Sequence, residues 1–597
     1  MLLNIILCLI VLSILVGGIY IVFFRKRTDY TAPPEIDPYN YNYLKLTIKN
    51  DIAATIRLRP EDLNLNEFET KKQKKQIDEL KKNIKVCISG DTGAKAYVMD
   101  YISSILQQKR GISDTTINKC IPFDDESRLS TEQKFFILLQ WYENTYGGDA
   151  LAIMIRSNGF DHLRNERLYV DDADISSLYH EKQCLLQLTF TDKIKILSQM
   201  VYQDIYGHGC VDKIRTMNID GFSIGVSGIP SDMFTSTGEE LAKYLQSHKE
   251  GLRFSYDSVW IMLNGRQIYL SCLGTHSEKE LKRVCKNLYR YNASKNLSAN
   301  AGFLTNDMKD GSRIAAARPP VSDSWVAICR KHSSGMSVSL EEQIQGENAD
   351  KIRDLIKSLV RGEQTLAVTG GQACGKTTMI RNLMSEIRPT YTIRVQESIF
   401  ELWLRKVLPD RNIITLKPTD LIPGQAIIDL TRKLDSDVIV LGEIAEPAVA
   451  AGLVQTTQTG GAFTMFSHHG LTVKKLLSWF RNALLRFSGF SNEKIAMEQA
   501  VEAIPFDLHM KGNKWSGERF CERLTEIVPC NDGSDYPYRE NKIFEYDRRK
   551  KAFTILNRIS PDREALILDN LTDKEAAIYR KVFEGITYNE ENLRRSA

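Results

Sequence analysis

The sequence predicts an α/β fold with a largely parallel sheet, preceded by an α+β domain, a mainly helical accessory region and one N-terminal transmembrane helix. Three observations predict it. Four short β-prone runs, Leu366–Thr369, Tyr391–Val395, Val438–Gly442 and Ala462–Ser467, alternate with helical stretches, as strands of a parallel sheet alternate with their crossovers. Upstream, helical spacing and glycine-broken alternation succeed each other without that regularity. At the start, Leu2–Phe24 is a continuous apolar run.

The chain has 597 residues, more than one core can hold, and at ~150 residues per domain it suggests three or four units. With 43% hydrophobic and 26% charged residues it has the composition of a globular protein. A net charge of +4 over this length creates no global basic field, so nucleic acid is not expected as a direct partner. The eleven cysteines form no C-x-x-C pair or metal spacing, which favours reduced thiols and predicts neither zinc nor a disulfide framework.

Taken in order, Leu2–Phe24 is apolar apart from Asn4 and Ser13. At ~1.5 Å per residue it can cross a ~30 Å hydrocarbon core. No basic segment precedes it and no small-x-small cleavage site follows, so a retained anchor over residues 1–27 is expected rather than a signal peptide. Arg25-Lys26-Arg27 then place the rest of the chain in the cytoplasm, as a single-pass cell-membrane protein. Residues 28–187 read as a proline-bearing tether followed by a mainly helical accessory region. Within it, Lys71–Lys85 is a basic helical run, either a solvated face or a contact for anionic head groups. Gly90–Lys95 lacks the four-residue gap of a phosphate loop and reads as the turn before a helix over Ala96–Gln108.

Residues 188–338 read as an α+β domain. Asp192–Gly207 has apolar residues at helical spacing, Ile219–Gly228 alternates and breaks on glycine, and Tyr256–Tyr269 suits a hairpin turning at Asn264-Gly265. Glu278–Tyr291 is an amphipathic helix, and Trp325–Lys331 is strand-like. The α/β domain occupies 339–530, with 531–597 as a C-terminal extension.

Its centre is Leu366–Met379. An apolar strand, a glycine-rich turn and a helical pattern succeed one another, and Gly370, Gly375, Lys376 and Thr377 fit G-x-x-x-x-G-K-[ST] in that context. Glycines let backbone N–H groups turn inward around phosphate, the helix N-terminus adds its dipole, Lys376 meets the β/γ oxygens and the Thr377 hydroxyl can ligate Mg²⁺. Gly370, Gly371, Gln372, Ala373, Cys374, Gly375, Lys376, Thr377 and Thr378 are therefore the expected ATP-binding segment. Ligands on such sheets bind at the carboxyl ends of strands, where Glu397, Glu443 and His468-His469 fall. Two carboxylates there suit phosphoryl transfer: Glu397 to orient and deprotonate water, Glu443 to hold the metal through its water shell. A histidine at the next strand end can sense the γ-phosphate, and the spacing leaves open whether His468 or His469 does so.

These blocks resemble the type II/IV secretion and type IV pilus ATPases, most closely the Tad pilus assembly branch (CpaF/TadA-like), over roughly residues 190–530. Gly370–Thr378 looks like the Walker A, Glu397–Leu402 the acidic box, Val438–Glu443 the Walker B ending in Gly-Glu, and Thr459–His469 the histidine box. The segments DGSRIAAARPP and WVAICRK resemble those whose arginines reach the nucleotide from the N-terminal domain, which makes Arg313 and Arg330 candidate phosphate ligands. The resemblance implies a P-loop (RecA-like) ATPase using ATP and Mg²⁺, with residues 188–338 as a nucleotide lid. It further implies a homo-hexamer and inner-membrane platform proteins as partners. The chain departs from the pattern at Ser398, at Ala445 where an arginine is usual, at Gly461 where the first histidine box residue belongs, and at Ala373-Cys374 inside the loop. A conjugative secretion ATPase and a nucleotide-binding scaffold with weak hydrolysis are the alternatives.

Overall fold

The computed structural model describes residues 37–595, apart from 64–65, 231–252, 292, 294–295, 332–337, 420, 459–462, 514–515 and 531–536. The chain divides into two compact units, residues 1–145 with 171–213, and residues 146–170 with 214–597.

The first unit is helical. Its main helices include Tyr41–Arg57, Glu67–Cys87, Thr92–Ser104, Asp172–Lys182 and Phe190–Ile205. Reciprocal side-chain and backbone bonds start three of them, between Asn66 and Glu69, Asp171 and Asp174, and Thr189 and Asp192. Leu44, Ile48, Ile52, Val98, Ile102, Leu197 and Val201 fill the interior. The Gly90–Lys95 segment is a helix start: the Asp91 side chain accepts the Ala94 N–H. Lys95 points inward, where it pairs with the fully buried Asp212. Asp212 also accepts from the His208 N–H at 3.0 Å and the Gln199 amide at 3.1 Å.

The expected single-pass membrane placement is corrected. No helix among the described residues is long and apolar enough to cross a membrane. Glu67–Cys87 has the length, at 21 residues, but is dominated by lysine and glutamate. The run Leu2–Phe24, which carried the expectation, lies outside the described residues.

The second unit holds two sheets. In the first, β1 (Tyr169–Val170), β2 (Gly221–Ile224), β3 (Val259–Leu263), β4 (Arg266–Leu270), β5 (Phe303–Asp307), β6 (Arg313–Ala317) and β7 (Val326–Arg330) run in the order β1-β4-β3-β2-β7-β6-β5. Asn264 and Gly265 both take positive φ, 52° and 75°, as the two-residue β3–β4 turn requires. Arg313 and Arg330 are register partners on β6 and β7, so both emerge on one face.

The second sheet contains β8 (Leu366–Gly370), β9 (Ile393–Gln396), β10 (Ile413–Leu416), β11 (Val438–Leu441), β12 (Phe463–His468), β13 (Phe506–Gly512), β14 (Arg519–Pro529), β15 (Tyr538–Asp547) and β16 (Ala552–Ile555), with order β10-β9-β11-β12-β8-β13-β14-β15-β16. Strands β10 through β13 pair in parallel and β14 to β16 continue antiparallel. Successive residues of one strand feed opposite cores: Val438 and Val440 join the cluster under the Ala349–Arg361 and Lys376–Met384 helices, Ile439 and Leu441 that under Pro447–Thr457 and Val473–Phe487. Phe544, Phe553, Ile567 and Tyr579 share the first of these clusters with Leu366 and Val368, so the C-terminal segment helps to build the core beneath the glycine-rich loop.

Replacing Lys95 by Met removes the cation paired with a fully buried carboxylate and is expected to cost about 3–5 kcal/mol. The full chain's first denaturant transition would move to lower concentration; an unchanged transition would show that the pair is dispensable.

Candidate functional site

The site is built where β8 ends. Gly370 has φ +140°, and a Cβ there would lie 2.1 Å from the Met510 carbonyl oxygen of β13. Only glycine fits this close approach. Ala373 and Gly375 also take positive φ, 60° and 98°, and the Lys376–Met384 helix starts directly after Gly375. The backbone therefore curls around the helix N-terminus, the arrangement that binds phosphate through N–H groups and the helix dipole.

Lys376 Nζ donates to the Gly370 carbonyl at 3.0 Å and the Gly371 carbonyl at 2.7 Å, and meets His469 Nδ1 at 3.2 Å. His469 Nε2 lies 2.8 Å from Glu443 Oε1. Because the ammonium can only donate, Nδ1 accepts and Nε2 carries the proton given to Glu443. Burial lowers the Lys376 pKa below the ordinary lysine value. The Thr377 hydroxyl donates to Glu401 Oε2 at 3.4 Å.

The two adjacent histidines differ in surroundings. His468 is buried: its Nδ1 accepts the Gly470 N–H at 2.9 Å, and its ring packs 4.6 Å from that of Trp479. Desolvation, with the neighbouring His469 and Lys376 charges, brings its pKa down to about 4. His469 is the one that faces the lysine and the glutamate.

Residues of the loop, both strand-end elements and the preceding sheet line a single cleft of about 270 Å³. Arg313, Arg330, Lys331, Lys376, Arg381 and Arg519 stand against Asp220, Glu401 and Glu443, an excess of cations that suits a polyanionic ligand. With its amide oriented to satisfy both groups, Gln372 accepts from Arg330 Nη1 at 3.2 Å and Nη2 at 3.3 Å. Arg313 is placed by the turn before β6, where Asp310 accepts the Ser312 N–H at 2.9 Å and pairs with the buried Arg215. That turn rests on Trp403: a Cβ at Gly311 would meet its Cζ2 at 2.2 Å.

Glu397 does not line the cleft. It is 2% exposed, and Oε1 accepts the N–H groups of Glu401 and Leu402, each at 2.8 Å. Burial raises its pKa to about 7 against those two bonds. Glu401, four residues on in the acidic segment, is the carboxylate that lines the cleft. The sequence carried a signal for it, a second carboxylate four residues on; Arg381 and Arg519 had none. Beneath the loop, a buried layer supports the end of β8. The Thr369 hydroxyl donates to Asp507 and lies 2.8 Å from His509 Nδ1, while Arg523 Nη2 reaches Asp507 at 3.3 Å.

No family model matches the chain, and no curated protein does. Among solved structures, the VirB11 ATPase of the Brucella suis type IV secretion system aligns at 18% identity over 45% of this chain and 89% of its own, with a TM-score of 0.26. The Legionella pneumophila ATPase DotB aligns at 13% identity over 61% and 84%, with a TM-score of 0.35. The pilus retraction motor PilT aligns at 12% over 60% and 96%, with a TM-score of 0.33. Scores this low, at such identities, leave function to be read from the site itself.

His468 is held neutral in the fold and titrates near 6.5 when unfolded, so its contribution is complete above pH 6.5 and is lost as pH falls towards 4. The difference corresponds to about 3 kcal/mol. Denaturation midpoints of the wild type should therefore fall more steeply over this window than those of His468→Gln; parallel curves would contradict a buried neutral imidazole.

Proposed function

We propose that this chain is a Mg²⁺-dependent ATP hydrolase that acts as a motor of the secretion or pilus-assembly kind. The observation that carries the reading is one cleft shared by the phosphate loop, Thr377, Glu401, Glu443 and His469, with Arg313 and Arg330 supplied by the preceding sheet. The loop amides and Lys376 would bind the β- and γ-phosphates. Mg²⁺ fits the hard oxygen donors present: the Thr377 hydroxyl would hold it directly, with Glu401 and Glu443 outside its water shell. When bound, the ion neutralises charge on the triphosphate. Glu443, hydrogen-bonded to His469, is placed to accept the proton of an attacking water, and His469 can pass hydrogen-bonding changes to Lys376 at the phosphate. Arg313 and Arg330 would bring the first sheet onto the nucleotide, so that loss of phosphate frees that sheet to move.

Four sequence blocks in order, from Gly370–Thr378 to Thr459–His469, support the motor assignment, and DGSRIAAARPP with WVAICRK supports the finer Tad pilus reading. A ring of six copies working on membrane platform proteins belongs to the same reading.

A nucleotide-binding scaffold with weak hydrolysis is favoured by Ser398, Ala445 and Gly461, and by a lysine and a glutamate already engaged with His469. Steady-state ATP turnover separates the two. In the hydrolase, Lys376→Ala, Glu443→Gln and Glu401→Gln should each lower kcat on the order of 10²-fold or more. Tight ATP binding with wild-type turnover no higher than the variants' would leave only the scaffold.

A further inference from the structure

The sequence pointed to Glu397 as the group that activates water, yet its carboxylate is buried and absent from the cleft wall. A general base has to come within roughly 2.6–3.2 Å of the proton it takes, directly or through one water. Glu397 instead accepts two amides of its own chain through Oε1. We infer that Glu397 is a positioning residue, which winds residues 398–402 into the turn that presents Glu401 to Thr377 and the metal site.

Four observations support it. Glu397 Oε1 accepts two successive amides, Glu401 and Leu402, each at 2.8 Å, closing the turn from its start. Leu402 is wholly buried in the core shared by β8 and β9, which fixes the other end of the turn. Glu397 Cγ lies beside Gly442, where an added Cβ would come within 3.0 Å of it, so the side chain occupies space that only this glycine leaves. The product of this winding is the Glu401 carboxylate at 3.4 Å from the Thr377 hydroxyl, with Arg381 Nη2 reaching the Glu401 carbonyl at 3.5 Å. Glu397 Oε2 is buried without a hydrogen-bond partner among the described residues, so one oxygen does the work. An amide oxygen can do the same work.

The inference rests on the hydrolase reading for the role of Glu401, and the experiment separates the two. Single-turnover hydrolysis and Mg²⁺-dependent binding of a fluorescent ATP analogue are measured on the full chain for wild type, Glu397→Gln, Glu397→Ala, Glu401→Gln and the Glu397→Ala/Glu401→Gln double variant. Glutamine keeps both amide bonds and should stay within about threefold of wild type, while alanine should lose about 10–100-fold in rate and require more Mg²⁺ for half-saturation. Analogue affinity at saturating Mg²⁺ should be unchanged in both, which also reports that the variants fold. Because Glu397 acts through Glu401, the double variant should be no slower than Glu401→Gln alone. Glutamine as slow as alanine, or losses that multiply in the double variant, would overturn the inference. A wild type that hydrolyses nothing would overturn the hydrolase reading alone. The positioning claim would then stand or fall on whether alanine, and not glutamine, raises the Mg²⁺ needed for analogue binding.

Discussion

The glycine-rich loop takes its shape because two strands approach at Gly370 more closely than any side chain would allow. With a Cβ there only 2.1 Å from the Met510 carbonyl oxygen, the chain must leave β8 at a φ that other residues avoid. The consequences follow in order. The carbonyls of Gly370 and Gly371 turn to face Lys376, the helix begins after a left-handed Gly375, and the ammonium is placed within reach of His469. The cleft is thus measured outward from a backbone contact, and its charged walls are later additions to a shape fixed by the absence of one carbon atom.

Polar groups around this point lie in two layers with different tasks. In the outer layer, His469, Glu443, Thr377 and Glu401 are partly open to solvent around the buried Lys376, and the Lys376–His469, His469–Glu443 and Thr377–Glu401 contacts are single hydrogen bonds that a ligand could replace. The inner layer, the buried Thr369, Asp507 and His509 at the base of β8 and β13, is hydrogen-bonded within itself and to the partly exposed Arg523. Desolvation raises the Asp507 carboxyl to about 6 and lowers the His509 imidazole to about 4, each shift running against the charged form as the low-dielectric interior demands. His468 belongs with the inner layer and His469 with the outer, although they are adjacent in sequence.

The fold was legible wherever periodicity was strong. The strands Val438–Leu441 and Phe463–His468 lie within a residue of their expected bounds, because buried parallel strands read as continuous apolar runs. The turn at Asn264-Gly265 was equally plain. The C-terminal strands β15 and β16 were not, since their alternation follows the antiparallel edge of a sheet whose other members lie far off in sequence. At the site, the loop was readable from spacing alone because Gly370 and Gly375 take the left-handed φ that the turn needs. Glu397 and Glu401 could not be ranked from sequence: both follow the same strand, and only burial, which depends on how the intervening turn winds, separates an inward carboxylate from an outward one. Arg519 reaches the cleft by pairing of distant strands, for which local pattern offers no sign.

The indole of Trp403 occupies the volume that a side chain at position 311 would need. Neither residue is free to drift alone during divergence. A bulkier substituent at 311 is admissible only in a lineage that has first shrunk the aromatic residue opposite it, and that shrinkage would loosen the footing of the turn before β6, from which Arg313 departs. The two sites should therefore vary as a pair among descendants of this chain, with glycine retained for as long as tryptophan is.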